Sequence, residues 1–593
     1  MDQVELIQSK VDIVDLINSY VPLKKAGRNF RALCPFHSEK TPSFIVSPER
    51  QIFKCFSCGE GGNVYHFLMK YENMEFGEAL RFLADKTGIK LKSFRPSKAY
   101  QEREKLISLN HLASEFYHYI LLKHKVGQQG LNYLLGRGIS KDSIKTFKLG
   151  YAPQSWENLQ DFLVKKKGFK RPDLFKAGLV VSGQRSFYDR FRGRIIFPLY
   201  DHRGNTLGFA GRVLEKDLKG AKYINTPETP IYHKSDLFYG LNITKKAIKE
   251  KDKAVIVEGE LDLISSYQAG VKNVVAIKGT ALTESQVTLI KRFTPNIALA
   301  LDEDKAGDQA SRRGIEMADK EGLNIRMIEL SFGKDPDEAA RHSPKLWRQS
   351  IKKAIPIYDF YLKSALKRFG KKGGESKKKV SEEMVPVISK ITNQVVQAHY
   401  LKKLALSLNV SEEAVLREIE RYEKNEKIKD DLRPTKPRKE EPKDKTRREK
   451  LEELLLGLIV QKKKGIKKYL LKVKIEILKG NAIKRIFEAL NKYFIKERKD
   501  FKVNDFTKVL PEELLETLDQ AFLKDLEIDL SDKEKYKLDF AKVLKELRKI
   551  YFKEELNILV SKMKKAETNN QGKKLQKLKE KFTSISQDLR NLV

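Results

Sequence analysis

The chain has 593 residues, enough for about four domains of ~150 residues each. Mean hydropathy is −0.51 and no apolar run reaches the ~18–20 residues of a membrane span, so a membrane protein is not expected. Lys and Arg total 118 against 80 Asp and Glu, a net charge of +38, which points to a polyanionic partner, nucleic acid ahead of an acidic membrane surface, for which no lipidation signal is seen.

The first five residues, Met1-Asp2-Gln3-Val4-Glu5, lack the basic start and apolar core of a signal peptide. Val4, Leu6, Ile7, Val11, Ile13, Val14, Leu16 and Ile17 predict an amphipathic helix ending near Pro22. The polar stretch 90–104 reads as a linker. A mixed region over 105–250 opens with helical spacing at Leu106, Leu109, Ala113, Phe116 and Ile120. It continues with strands at 194–200 and 206–213 around a turn at 201–205. From Ala254 to Leu330 short apolar strands alternate with helices, the pattern of a parallel sheet covered on both faces. Residues 355–421 read as wholly helical. The stretch 423–450, rich in charge and holding three prolines, reads as a disordered tether, and 451–593 as a separate Lys-rich helical domain. The expected divisions are 1–95, 105–250, 251–345, 346–422, 423–450 and 451–593.

Three Cys are too few for a disulfide framework, and all fall at 34, 55 and 58. Cys34-Pro35-Phe36-His37 and Cys55-Phe56-Ser57-Cys58 each hold two ligands with two residues between them, and 17 residues separate the pairs. Tight turns of that spacing aim Cys34, His37, Cys55 and Cys58 at one ion, a closed and therefore structural Zn²⁺ site. Gly59, Gly61 and Gly62 follow, where the backbone turns around the metal. Lys24, Lys25, Arg28, Arg31, Lys40 and Lys54 alternate here with Phe30, Phe36, Phe44, Phe53 and Phe56. Such a mixture is suited to phosphates and stacked bases.

Carboxylates gather at the strand ends of the α/β segment. Glu258 ends the first strand, Asp302 and Asp304 the third, and Asp335 and Asp337 follow the fourth; Asp262 is one helical turn from Glu258. In open parallel sheets, ligands sit beyond the carboxyl ends of strands. Clustered acids require cations, and oxygen ligands favour two or more Mg²⁺ or Mn²⁺ ions, the arrangement that serves phosphoryl chemistry. Upstream, Arg137, Arg190, Arg192, Arg194, Arg212, Lys222 and Lys234 suit an anionic ligand.

Taken together, these motifs resemble the bacterial replicative DNA primase family, the DnaG proteins. The likeness runs through 11–14, 33–44, 61–64, 189–194, 222–230 and 239–241, and then Glu258 and the Asp302/Asp304 pair. It implies an N-terminal zinc ribbon that engages template, and a central RNA polymerase region. That region combines a basic α+β subdomain, a TOPRIM-type parallel α/β sheet and a helical bundle. A C-terminal all-α domain binds the replicative helicase. The implied reaction is synthesis of short RNA primers from NTPs on single-stranded DNA, by a monomer in the bacterial cytoplasm at the replication fork. Glu258, Asp302 and Asp304 match the family's catalytic metal-binding acids, with Asp262, Asp335 and Asp337 as helpers. The seven basic residues match positions that touch template or NTP phosphates. Glu260 and Glu303 depart from the family, which has an aromatic and a glycine there. The residues alone leave two other readings open: a strand-cleaving TOPRIM enzyme, topoisomerase or nuclease, and a non-catalytic single-strand loader.

Overall fold

The structure, a computed structural model, describes residues 3–37, 39, 41–72, 74–91, 98–183, 186–214, 221–279, 281–301, 309–330, 332–431, 445–462, 465–496, 501–526, 532–569 and 571–592. Two compact units result. One joins Met1–Ser93 to Thr435–Val593, and the other is Phe94–Pro434.

The first unit opens with two helices, Gln3–Lys10 and Ile13–Asn18, rather than the single expected helix. Asp12 makes the break: its side chain accepts from the backbone N–H groups of Val14 at 2.7 Å and Asp15 at 3.1 Å, capping the second helix. A five-stranded antiparallel sheet follows in sequential order: β1 Lys24–Ala26, β2 Asn29–Ala32, β3 Phe44–Ser47, β4 Ile52–Cys55 and β5 Gly61–Gly62. Gly62 has φ +144°, and a Cβ there would lie 2.6 Å from His66 of the next helix, Val64–Tyr71, so the close approach requires glycine. The later part of the unit is helical, with Arg447–Val460, Asn481–Lys496, Glu512–Leu523, Lys533–Thr568 and Gly572–Arg590. Leu455, Leu458, Phe487, Leu518 and Tyr536 form its core, and Ile45 of β3 packs into the same cluster.

In the second unit, helix Lys98–Lys123 buries Leu106, Leu109, Ala113 and Tyr117. It begins inside the stretch expected as a linker, because Tyr100 is buried too. It packs on an antiparallel sheet ordered β11-β10-β9-β6, with β6 Gly150–Ala152, β9 Arg194–Tyr200, β10 Thr206–Val213 and β11 Tyr223–Asn225. The expected 201–205 turn is closed by Asp201, whose Oδ1 accepts from the N–H groups of Arg203, Gly204 and Asn205 at 2.8–2.9 Å. A small ribbon pairs β7 Val180–Ser182 with β8 Phe187–Asp189.

The α/β sheet is ordered β13-β12-β14-β15-β16: β12 Ala254–Val257, β13 Val274–Ala276, β14 Asn296–Ala300, β15 Asn324–Met327 and β16 Ile355–Pro356. The first four strands are parallel and β16 is antiparallel, so the sheet is mixed at one edge and the segment expected as wholly helical begins with a strand. Alternation explains its near-continuous apolar runs. Ile256, Ile297 and Leu299 enter one core, shared with Met384, Ile388 and Leu404, while Val255, Val257, Ala298 and Ala300 enter the other, with Leu263, Ile264 and Trp347. Helices Ile357–Phe369, Gly374–Ser389, Gln394–Leu408 and Glu412–Asp431 complete the unit. Of the expected tether, 423–431 is helical, residues 432–444 lie outside the described residues, and Thr446 caps the next helix through its contact with the Glu449 N–H.

Asp189 is 2% exposed and accepts from the N–H groups of Leu159 at 2.7 Å and Gln160 at 3.1 Å. Burial outweighs those bonds and pushes its carboxyl up to about 7. The folded chain therefore holds this proton to higher pH than the unfolded chain. The contribution is complete below the ordinary aspartate range and lost as pH rises toward 7. In calorimetry between about pH 4 and pH 8, the melting midpoint of Asp189→Asn should change less with pH than that of the parent.

Candidate active site and metal centres

In the ribbon, ligand atoms of Cys34, His37, Cys55 and Cys58 all lie within 4.8 Å of one another. The Cys34 and Cys58 sulfurs are 3.9 Å apart, and Cys55 Sγ is 3.8 Å from His37 Nδ1. Zn–S bonds of ~2.3 Å set the edges of a tetrahedron ~3.8 Å apart, so this cradle has the size of one zinc ion. Backbone N–H groups of Phe36 and Cys58 point at the Cys34 and Cys55 sulfurs, each at 3.4 Å. Glu39 braces the loop from outside. It accepts from the N–H groups of Cys34 at 2.7 Å and Ser43 at 3.0 Å and from the Ser43 hydroxyl, and lies 3.3 Å from His37 Nε2. Burial raises the Glu39 carboxyl, but the bonds from Ser43 and Cys34 outweigh it and hold the group below the usual range.

The expected interleaving of aromatic and basic groups around this centre is only partly present. Phe36, Phe44 and Phe53 stack with Phe67, ring centroids 5.2–6.5 Å apart, and form the ribbon's core instead of a base-stacking surface. Phe56 is 42% exposed. Lys40 lies outside the described residues.

In the second unit, Val257 pairs with Ala300, so adjacent parallel strands end side by side. Half-buried Glu258 follows β12 directly. Asp302, Glu303 and Asp304 come after β14 and lie outside the described residues. Beyond Glu258, helix Glu260–Gln268 carries Asp262, whose Oδ2 accepts from the Gly259 N–H at 2.9 Å and Oδ1 from the Asp337 N–H at 3.1 Å. Desolvation, then the charges of Asp335 and Asp337, push the Asp262 carboxyl up to about 7. Asp337 is the opposite case. Its oxygens take Ser265 Oγ at 2.5 Å, Arg341 Nε at 3.0 Å and Arg137 Nη2 at 2.6 Å. Burial raises it, but these donors outweigh that and hold it low. Asp335 caps helix Pro336–His342 through the Glu338 N–H at 2.7 Å.

The basic residues divide into two groups. Arg137 reaches the sheet through Asp337, and Arg212 donates to the Tyr223 hydroxyl and lies over the Tyr133 and Tyr223 rings at 5.8 and 5.2 Å. Lys222 is 5.9 Å from the same Tyr223 ring. Arg190 donates to the Gly178 carbonyl at 2.9 Å, and Arg194 to carbonyls of Gly211, Ala221 and Lys222 at 3.0–3.3 Å. Arg192 donates to the Asp189 carbonyl at 2.5 Å and stacks over Trp156, 4.1 Å from its centroid. Lys234 is exposed, its backbone N–H bonded to Glu228 at 3.0 Å.

Residues 1–99 match the family described as a CHC2 zinc finger, 116–245 the N-terminal domain of the DNA primase catalytic core, 255–340 a Toprim-like domain and 358–413 the DnaB-helicase binding domain of primase. The DNA primase of Clostridium acetobutylicum is 39% identical over 417 residues, 70% of this chain and 69% of its own length. The chain belongs to the family of bacterial DNA primases. Its enzymatic class is nucleotidyltransferase, a DNA-directed RNA polymerase that makes RNA primers on single-stranded DNA. The Staphylococcus epidermidis DNA primase is 32% identical over 88% of this chain and 89% of its own. A crystal structure of the zinc-binding and RNA polymerase domains of Aquifex aeolicus primase is 31% identical, covers 70% of this chain and 99% of that one, and has a TM-score of 0.46. The Cys/His cradle of this primase is a zinc centre, and a helicase is among its partners. The helicase-binding match falls on 358–413, whereas the family resemblance implies that role for 451–593.

Several residues around the primase site escape sequence reasoning. Glu260 pairs with Lys278, their side chains 8% and 5% exposed. Burial, then the charge of Lys234, pull Lys278 down to about 7, and Glu260 supplies its counter-charge. Glu260 had stood out as a departure from the family, but nothing in the sequence gave it a partner 18 residues away. Ser265 has its partner, Asp337, 72 positions away, and the contacts of Glu39 and Arg341, though local, follow no spacing motif. Removing a group that braces metal ligands typically lowers metal affinity by about 10–100-fold. Glu39→Gln should weaken zinc binding by that factor in a chromogenic-chelator competition, with one zinc per chain still bound at saturation.

Proposed function

We propose that this primase joins ribonucleotides where the carboxyl ends of β12 and β14 meet, the 3′ hydroxyl of one attacking the α-phosphate of the next and releasing pyrophosphate. The observation that carries this reading is the parallel register of Val257 with Ala300, which brings the chain into the Glu258 and Asp302–Asp304 segments from neighbouring strands. Glu258, Asp302 and Asp304 would hold Mg²⁺ or Mn²⁺. The donors are oxygens only, the ligand type that a hard cation takes. Such ions, when bound, supply charge neutralisation for the attacking and leaving oxygens.

Asp262 and Asp337 have their oxygens engaged by protein donors and serve to hold the loops in place. Asp335, capping its helix, is the remaining helper. Arg137, Arg190, Arg192, Arg194, Arg212, Lys222 and Lys234 bind template and NTP phosphates; Arg190, Arg192, Arg194 and Arg212 are held by carbonyl, hydroxyl and ring contacts, and Arg137 by Asp337. Cys34, His37, Cys55 and Cys58 hold one structural zinc, and the ribbon they stabilise engages template. The replicative helicase docks on residues 451–593, with 358–413 as the second contact. The primase works as a monomer in the cytoplasm, and no helix among the described residues is long and apolar enough to cross a membrane.

Incorporation of labelled ribonucleotides on a bare oligonucleotide should require Mg²⁺ or Mn²⁺. Glu258→Gln, Asp302→Asn and Asp304→Asn should each lower it by at least about 100-fold, the scale of losing one preorganised electrostatic group, while oligonucleotide binding persists. Retained synthesis in all three would refute the site. Relaxation or nicking of supercoiled plasmid by the parent enzyme would favour a strand-cleaving reaction instead. Because phosphate contacts release counterions, affinity for single strands should fall linearly on a logarithmic salt axis, and Lys222→Ala should make that slope shallower by about one contact.

A further inference from the structure

The zinc ribbon's basic face is already occupied by the protein itself. Arg28 donates to the backbone carbonyls of Phe522 at 2.5 Å and Gln461 at 3.3 Å, and its guanidinium lies 4.1 Å from the centre of the Phe522 ring. Arg31 pairs with Asp525 at 2.5 Å and Lys54 with Glu516 at 2.8 Å. Arg50 directs Nε and Nη2 at one oxygen of Asp519, 2.9 and 2.7 Å away, and Nη1 at Asn504 Oδ1 at 2.7 Å. Three carboxylates, two carbonyls and an aromatic ring therefore meet four cations of one small sheet. Glu516, Asp519 and Phe522 recur every three residues, along one face of helix Glu512–Leu523.

These are the groups a single strand would offer: anionic oxygens for the arginines and lysine, and a flat ring to stack on a guanidinium. The same donors cannot serve carboxylates and phosphates at once. We propose that helix Glu512–Leu523 and its extension to Asp525 form an internal mimic of single-stranded nucleic acid, docked on the ribbon and displaced by template. The inference rests on the template role given to the ribbon above.

The contact is built to be exchanged. Arg31–Asp525 is 35% and 55% exposed, so that pair is weak and screened by salt; Lys54 is 12% exposed against 71% for Glu516, and Arg50–Asp519 is the most enclosed at 10% and 21%. A strand making several phosphate contacts gains counterion release that the carboxylates do not. Lys24 and Lys25 on β1 remain exposed and provide a first contact for it.

The 2.8 Å approach of Lys54 to Glu516 suits zero-length carbodiimide crosslinking of the full-length, zinc-loaded chain, read by mass spectrometry. The Lys54–Glu516 crosslink should form in the free protein and fall several-fold with saturating oligodeoxythymidine. Neutralising the mimic with Glu516→Gln, Asp519→Asn and Asp525→Asn together should tighten oligodeoxythymidine binding by roughly tenfold, as expected when only about a tenth of the chains are open at rest. A crosslink unchanged at saturation, or absent from the free chain, overturns the proposal. When the crosslink persists, adding Arg31→Ala and Lys54→Ala to the neutralised chain locates the error. Lost affinity means that the ribbon binds strands without displacing the helix, and unchanged affinity means that the template role itself is wrong.

Discussion

The Asp262 carboxylate is the joint on which the catalytic unit is assembled. One oxygen takes the N–H of Gly259, in the turn that carries Glu258, and the other takes the N–H of Asp337, beyond β15. Asp337 in turn binds Ser265, Arg341 and Arg137. Loops after two non-adjacent strands and a helix end from the basic subdomain are thus tied through two carboxylates. A Cβ on Gly259 would lie 2.9 Å from Asp262 Oδ2, so a side chain there would push the carboxylate aside. The two acids titrate in opposite directions because burial, and then neighbouring acids, raise Asp262, whereas the Ser265, Arg137 and Arg341 donors overcome burial at Asp337.

The ribbon is organised by a different constraint. Its core is four phenylalanines under a five-stranded sheet of short strands, and a body that small needs a cross-link to hold a fixed shape. Zinc provides it at the joint between β4 and the Cys34 turn, and Glu39 ties that turn to the start of β3. The ribbon's arginines then project from a rigid base, which makes the geometry of the contacts to Asp519, Asp525 and Glu516 possible.

Both units manage the same excess of positive charge. In the polymerase region, Arg190, Arg192, Arg194 and Arg212 are steadied by backbone carbonyls, a tyrosine hydroxyl and aromatic rings, partners that fix direction without cancelling charge, while Arg137 meets Asp337. On the ribbon, cations meet carboxylates, which cancel it. The first arrangement keeps a surface ready for phosphate, and the second covers one until something more anionic arrives.

The zinc ligands, the α/β segment and the position of Glu258 could be read from the chain alone, because each depends on spacing within a few residues: two-residue gaps between ligands, short apolar runs at β12 and β14, and an acid at a strand end. The antiparallel β16 edge and the helix starting at Lys98 depend on longer-range packing, which local pattern does not carry; the break at Asp12 is a local cap that the continuous apolar spacing masks. Glu260 with Lys278, Asp262 with Asp337, and Arg50 with Asp519 pair residues 18, 75 and 469 positions apart. A sequence states that such charges exist; only the folded chain decides which of them meet, since burial and distance set whether a carboxylate faces a cation, another carboxylate or water.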